Sequence, residues 1–131
     1  MTVFLDANVL IHHVGRAHPL RDQARAFVAD ALRRHDRLVT SAEVLQELLH
    51  YYLRTRRFSV LDDAWALVDR CVDEVWSMDR ADVEMARTLM GQHPGLEARD
   101  LVHLACCLRR NAHNLMTFDR GLEAAWRVRR R

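Results

Sequence analysis

The sequence predicts an α/β fold, a parallel sheet of four, or at most five, short strands flanked by helices on both faces. Three observations carry that reading. Short apolar runs at 2–5, 38–40, 74–77 and 114–118 recur along the chain. Between them lie longer stretches whose apolar residues return every three or four positions, as on one face of a helix. Two of the runs lead directly into an aspartate, Asp6 and Asp119. A buried strand ending in an acid delivers a carboxylate to the C-terminal edge of an open sheet, where ligands bind.

The first strand, 2–5, ends at Asp6, and 7–13 reads as a short helix or turn. Gly15 and His18-Pro19 break the pattern, and Pro19 is placed to open a helix. That helix, 20–35, carries Leu20, Ala24, Phe27, Val28, Ala31 and Leu32 as its apolar stripe. The strand 38–40 runs into Ser41, a helix N-cap candidate. In the helix 42–55, at 100° per residue, Leu45, Leu48, Leu49 and Tyr52 centre the apolar face. Glu47 lies on its border, flanked by Val44 and Tyr51, and can reach inward, whereas Glu43 points to solvent.

A further helix covers 59–73, with Leu61, Trp65, Leu67, Val68 and Cys71 facing the core. After the strand 74–77, Asp79 caps a helix over 80–92 whose Val83, Ala86, Leu89 and Met90 face inward. His93-Pro94-Gly95 ends it. The helix 97–112 is the most apolar, and its polar arc holds Arg99, His103, Arg109 and Arg110. Asp100 falls outside that arc, between Leu104 and Cys107. A carboxylate on a mostly buried face needs a reason. The strand 114–118 then leads to Asp119, and a last helix over 122–126 runs into an arginine-rich tail.

The 131 residues fit one domain, 1–131, long enough for a real core. Four glycines and two prolines leave little for flexible linkers. No run approaches the ~18 apolar residues of a membrane span, and the N-terminus lacks a basic region and cleavage site. The expectation is a cytoplasmic protein that does not bind membranes. Cys71, Cys106 and Cys107 are odd in number and lie in apolar helical patterns, which predicts packing rather than disulfides or zinc. The net charge of +2 excludes little, but all 20 basic residues are arginine. Chemistry that needs a lysine amine is therefore excluded. The clusters 54–57 and 127–131 are either solvated segments or contacts for a phosphate backbone.

Four acids share a logic. Asp6 and Asp119 end strands, Glu47 rides the helix after the second strand, and Asp100 starts the helix before the fourth. Taken singly, the aspartates could be helix caps or complements to a helix dipole, and Glu47 a solvated helix residue. Asn8, Ser41 and Thr117 could likewise be turn or cap residues. Taken together, the four acids can converge on one sheet edge. Carboxylates ~4 Å apart repel by about 4 kcal/mol at an effective dielectric near 20, so such a cluster takes up protons or binds a cation. Oxygen donors select a hard ion, Mg²⁺ or Mn²⁺. Such an ion can activate water and offset charge on a phosphoryl oxygen, the chemistry of phosphodiester hydrolysis.

The stretches FLDANVLI, SAEVLQELLHYY, EARDLVHLACCLRR and NLMTFDRGL resemble, in order and spacing, the PIN-domain family, and within it the VapC-type toxin ribonucleases of toxin–antitoxin pairs. The resemblance covers nearly the whole chain. It implies a PIN-like three-layer α/β/α sandwich and a Mg²⁺- or Mn²⁺-dependent endoribonuclease acting on RNA. It also implies a homodimer and inhibition by a cognate VapB-type antitoxin bound across the active site. Asp6, Glu47, Asp100 and Asp119 fall on the family's acidic quartet, with Asp6 and Asp100 as the principal metal ligands. Asn8 and Ser41 would orient ligands or water on the metal, and Thr117 would border the site. Family members commonly have a further short strand near the C-terminus, for which only 127–129 remains here.

Competing classes are weaker. A phosphoryl-accepting receiver domain wants a lysine near its pocket. An aspartate-nucleophile phosphatase usually wants a second aspartate two positions after the first, where this chain has Asn8. A non-catalytic PIN-fold binding module would not need the full acidic quartet. Within nucleases, the alternative is a PIN domain in RNA processing, and the small size favours the toxin.

Overall fold

The computed structural model describes residues 1–129. In chain order the elements are β1 (Thr2–Leu5), α1 (Ala7–His13), α2 (Pro19–Arg33), β2 (Arg37–Ser41), α3 (Ala42–Thr55) and α4 (Phe58–Cys71). They continue with β3 (Glu74–Trp76), α5 (Arg80–Leu89), α6 (Ala98–Arg109), β4 (Asn114–Met116) and α7 (Arg120–Arg129). The four strands form one sheet in the order β3-β2-β1-β4, and every pair is parallel. Consecutive residues of the inner strands are buried, Val3, Phe4 and Leu5 on β1 and Leu38, Val39, Thr40 and Ser41 on β2. Adjacent strand residues point to opposite faces, so both faces of the sheet are covered. The helices pack as two groups, α1 to α4 with one another and α5 to α7 with one another. The result is the three-layer α/β/α sandwich.

The strand order places the site. From β1 the chain moves outward through β2 to β3, then returns to add β4 on the other side of β1. The carboxyl ends of β1 and β4 therefore flank a topological switch point, the crevice where open α/β sheets bind ligands. The pairing of Leu5 with Met116 sets Asp6 beside the segment leaving β4, and the Asp6 N–H donates to the Met116 carbonyl at 3.0 Å.

Several elements differ from the sequence expectation for identifiable reasons. Strand β4 stops at Met116 rather than 118, because the Phe118 N–H turns to the Asn8 side chain (3.1 Å) instead of a neighbouring strand. Asp119 thus lies three residues past the strand. Residues 127–129 finish α7 and form no fifth strand, and the last two positions of the arginine-rich tail lie outside the described residues.

On α3 the buried stripe is Val44, Leu48 and Tyr52, while Leu49 is 41% exposed. The apolar face is rotated towards Glu47. On α5, which ends at Leu89 rather than 92, Val83 and Met90 are exposed and the inward positions are Asp82 and Ala86. A buried carboxylate sets that rotation. Asp82 accepts from Arg109 Nη1 (2.5 Å), Arg110 Nη1 (2.8 Å) and the Asp79 N–H (2.9 Å). These bonds draw α5 onto α6 by its polar side. Cys106 and Cys107 are buried and Cys71 half-buried, all as free thiols. No described helix is long and apolar enough to cross a membrane.

Candidate metal centre

Asp6 is the pivot of the crevice. Being the first residue past β1, it is extended (φ −75°, ψ 159°) and caps α1, its Oδ1 accepting from the Ala7 N–H at 2.7 Å. Its Oδ2 accepts from the Thr117 hydroxyl at 2.7 Å and from Asn8 Nδ2 at 3.4 Å. Asn8 Nδ2 also reaches Thr117 Oγ1 at 3.2 Å, and that same oxygen accepts from the Asp119 N–H at 3.0 Å. Asn8 and Thr117 thus tie the loop after β4 to the start of α1 and lock the Asp6 carboxylate in one rotamer.

Glu47, one turn into α3, brings its carboxylate to the same place because α3 turns Val44 and Leu48 into the core on either side of it. Its side chain is 11% exposed. The sequence reading put His103 on the polar arc of α6, and the structure overturns this. His103 is 1% exposed, and its Nε2 lies 3.1 Å from Glu47 Oε1 and 3.6 Å from Asp6 Oδ1. Of that arc only His103 turns to the acids at the cleft, while Arg109 and Arg110 pair with Asp82 on α5 and Arg99 is half exposed. Position i+3 from a first-turn aspartate was the available signal. Helical periodicity alone could not tell a buried polar surface from a solvated one.

Asp100 and Asp119 complete the acidic rim. Asp100 closes a capping box with Glu97 and accepts from the Glu97 N–H at 3.4 Å. Asp119 caps α7, Oδ1 accepting from the Leu122 N–H at 2.9 Å. Both keep their second oxygen for the cleft that they line together with Asp6, Asn8 and Glu47. Ser41 lies apart from them, fully buried, with its Oγ accepting from the Val44 N–H at 3.2 Å to start α3. The cleft continues past residues the sequence reading did not assign to it, among them Ile11, His50, Tyr51, Arg54 and Arg99. Arg99 Nε stands 3.6 Å from Glu47 Oε1.

The electrostatics agree with the crowding. Burial pushes the Asp6 carboxyl above the usual range, and the Glu47 charge adds to it, against the nearby His103 charge and donation from Thr117 and Ala7. Burial likewise raises Asp100, helped by the charges of Asp119 and Asp6. Burial by itself would lower the His103 imidazole, but the Glu47 contact and the Asp6, Glu47 and Asp100 charges outweigh it and raise it above the ordinary histidine value. A site in which Asp6 and Asp100 are pushed up and the histidine favours the cation is short of positive charge.

The donor set fits a divalent ion. Asp6, Glu47 and His103 each present a ligand atom, and these atoms lie within 4.8 Å of one another. Carboxylates dominate, which suits Mg²⁺ or Mn²⁺. An imidazole at the edge of the set is compatible with Mn²⁺ directly and with Mg²⁺ as a partner that orients Glu47.

Comparison with known proteins agrees with this geometry. The PIN domain family model matches residues 3–126. Ribonuclease VapC23 of Mycobacterium tuberculosis is 53% identical over 125 residues, 95% of this chain and 98% of that protein. Ribonuclease VapC13 of the same species is 37% identical over 122 residues, 93% of each chain. Among solved structures, Mycobacterium tuberculosis VapC20, a sarcin-ricin-loop-cleaving toxin, aligns with a TM-score of 0.78 over 94% of both chains at 19% identity. VapBC2 from Rickettsia felis, bound to a promoter DNA fragment, aligns with a TM-score of 0.70 over 89% of this chain and 87% of that one. At 17% identity, as with VapC20, the likeness is one of fold.

Proposed function

The chain belongs to the PIN-domain family, and from that premise we propose that it is a metal-dependent endoribonuclease, the toxin of a VapBC-type pair. The observation that carries the proposal is the meeting of Asp6, Glu47, Asp100 and Asp119 in one open cleft at the switch point of the sheet, with His103 buried beneath Asp6 and Glu47. The 53% identity to a ribonuclease over nearly the full length of both chains supports the same reading.

Asp6, Glu47, Asp100 and Asp119 are the residues that would hold Mg²⁺ or Mn²⁺. When bound, the ion supplies a Lewis acid for the phosphoryl oxygens and lowers the pKa of water. The chain's own groups do the rest. Thr117 and Asn8 hold the Asp6 carboxylate in place, so no reorganisation is needed as charge develops. His103 orients Glu47 from below. Ser41 caps the start of α3, the helix that carries Glu47. Arg99, at the mouth, stands against Glu47 and Glu97 and offsets part of their charge. In-line hydrolysis forms one P–O bond to water and breaks one to the leaving ribose oxygen. The carboxylates of the rim are the groups able to take the water's proton.

As partners we propose RNA as substrate and a cognate VapB-type antitoxin, which the fold shared with a VapBC complex supports, and a homodimer as the working assembly. The deciding experiment incubates the purified protein with total cellular RNA, with and without Mg²⁺, and maps the cut ends. Discrete cuts that require the ion are expected. Intact RNA in both arms would sink the proposal.

A further inference from the structure

We propose that the outer half of α3 is a built subsite for single-stranded RNA, with Tyr51 as a stacking platform for a base flanking the scissile phosphate and Arg54 as the contact for a phosphate up to three nucleotides along the strand. The inference rests on the reading of this cleft as an RNA-cleaving site and specifies what enters it.

Four α3 residues line the same cleft: Glu47, His50, Tyr51 and Arg54. Their spacing, i, i+3, i+4 and i+7, is one helical face. Along that face the chemistry changes from carboxylate to aromatic to guanidinium. At 1.5 Å per residue the Arg54 backbone lies about 10 Å along the axis from that of Glu47. That is roughly the length of three stacked nucleotides at 3.4 Å each, or fewer when the strand is splayed. A scissile phosphate at the Glu47 end therefore sends its strand along this face.

The two outer residues are prepared differently. Tyr51 is half-buried, its ring edge-on to the fully buried Tyr52 ring (centroids 4.9 Å apart, planes at 82°). The Thr55 hydroxyl donates to the Tyr51 carbonyl at 3.0 Å. The Tyr52 ring thus packs the Tyr51 ring at the cleft wall, so little ordering is lost when a base stacks on it. Arg54 makes no ion pair among the described residues, whereas Arg99 at the acidic end is engaged by Glu47 and Glu97. A guanidinium without a carboxylate, one helical turn beyond the aromatic ring, suits a phosphate. Duplex RNA keeps its bases stacked inside and presents none to a side wall, so the combination selects a single strand.

The test measures binding rather than turnover. Fluorescence anisotropy of a labelled single-stranded RNA oligonucleotide is followed in EDTA, across a salt series, for wild type, Tyr51→Phe, Tyr51→Leu and Arg54→Gln. Tyr51→Phe is expected to bind as wild type does, and Tyr51→Leu about 10-fold more weakly. Arg54→Gln is expected to lower the slope of log K against log salt by about 0.7, one phosphate contact on a single strand. The same sequence as a duplex is expected to bind at least about 10-fold more weakly to wild type. Equal losses in the Phe and Leu variants, an unchanged salt slope or equal binding of duplex would each overturn the subsite. If wild type cuts RNA with Mg²⁺ yet gives those results, only the subsite falls. If it neither cuts nor binds RNA, the proposed function falls with it.

Discussion

Nε2 of His103 lies 3.1 Å from Oε1 of Glu47 and 3.6 Å from Oδ1 of Asp6, so one buried imidazole bridges an acid from the end of β1 and an acid from α3. This imidazole offsets the repulsion of the acids before any metal binds. Replacing it with a group of similar volume and no charge, His103→Leu, leaves Glu47 and Asp6 facing each other with no cation between them. We expect a loss of about 1–3 kcal/mol in stability, most of it recovered when Mn²⁺ is added, by linkage. Urea denaturation with and without Mn²⁺ reads both effects. A variant as stable as wild type, or one indifferent to Mn²⁺, contradicts the bridging role.

Asp6→Asn preserves shape and removes charge. The amide oxygen can still accept from the Ala7 N–H, and the loss is confined to the Thr117 and Asn8 contacts to Oδ2. The fold is therefore expected to survive while cleavage falls by ~100-fold or more. Circular dichroism melting and cleavage of a mapped RNA, run on the same sample, separate the two. Full activity with metal present would remove Asp6 from the site.

Asp82 makes a stability prediction with a definite pH window. Burial alone would raise its carboxyl, but donation from Arg110, the Asp79 backbone and Arg109 holds it down at about 2. The folded value is below the unfolded one, so the contribution is fully present above the unfolded pKa, near 4, and is lost as pH falls through about 2. Its size is on the order of 2 kcal/mol. Asp82→Asn should lower stability by that amount at neutral pH, and the gap to wild type should close between about pH 4 and pH 2. Urea midpoints across that range are the measurement, and a pH-independent gap would be the contrary result.

Ser41 separates a cap from a ligand. Its hydroxyl is buried against the Val44 N–H, so Ser41→Ala should cost about 1 kcal/mol of stability. The Mn²⁺ affinity of the folded protein should stay within about 2-fold. A loss of 10-fold or more in affinity, the size expected for a residue supporting a metal ligand, would instead give Ser41 a direct part in the site. Isothermal titration with Mn²⁺ beside thermal melting decides between them.

Much of the site was readable from local pattern. Asp6 follows a strand whose consecutive apolar residues can only be an inner strand of a covered sheet, and Asp100 is an acid on the apolar side of its helix. Ranking Glu47 above Glu43 needed only the helix angle. His103 was not readable, because a polar arc looks the same whether it meets water or three carboxylates. The same ambiguity placed Val83 and Met90 inward on α5, where in fact the buried Asp82 and its arginines set the rotation.

The order of strands and helices, the acid at the end of β1 and the chemistry open to it were determined by the sequence alone, because strand and helix periodicity and the charge of a side chain are local properties. The convergence of Glu47 with Asp6, the capture of His103 between them and the continuation of the cleft along Tyr51 and Arg54 were decided only by the tertiary structure. They depend on how α3 and α6 are rotated and laid against the central strand. That rotation is set by which side chains fill the space between elements and by buried pairs such as Asp82 with Arg110, neither of which is a property of any one segment.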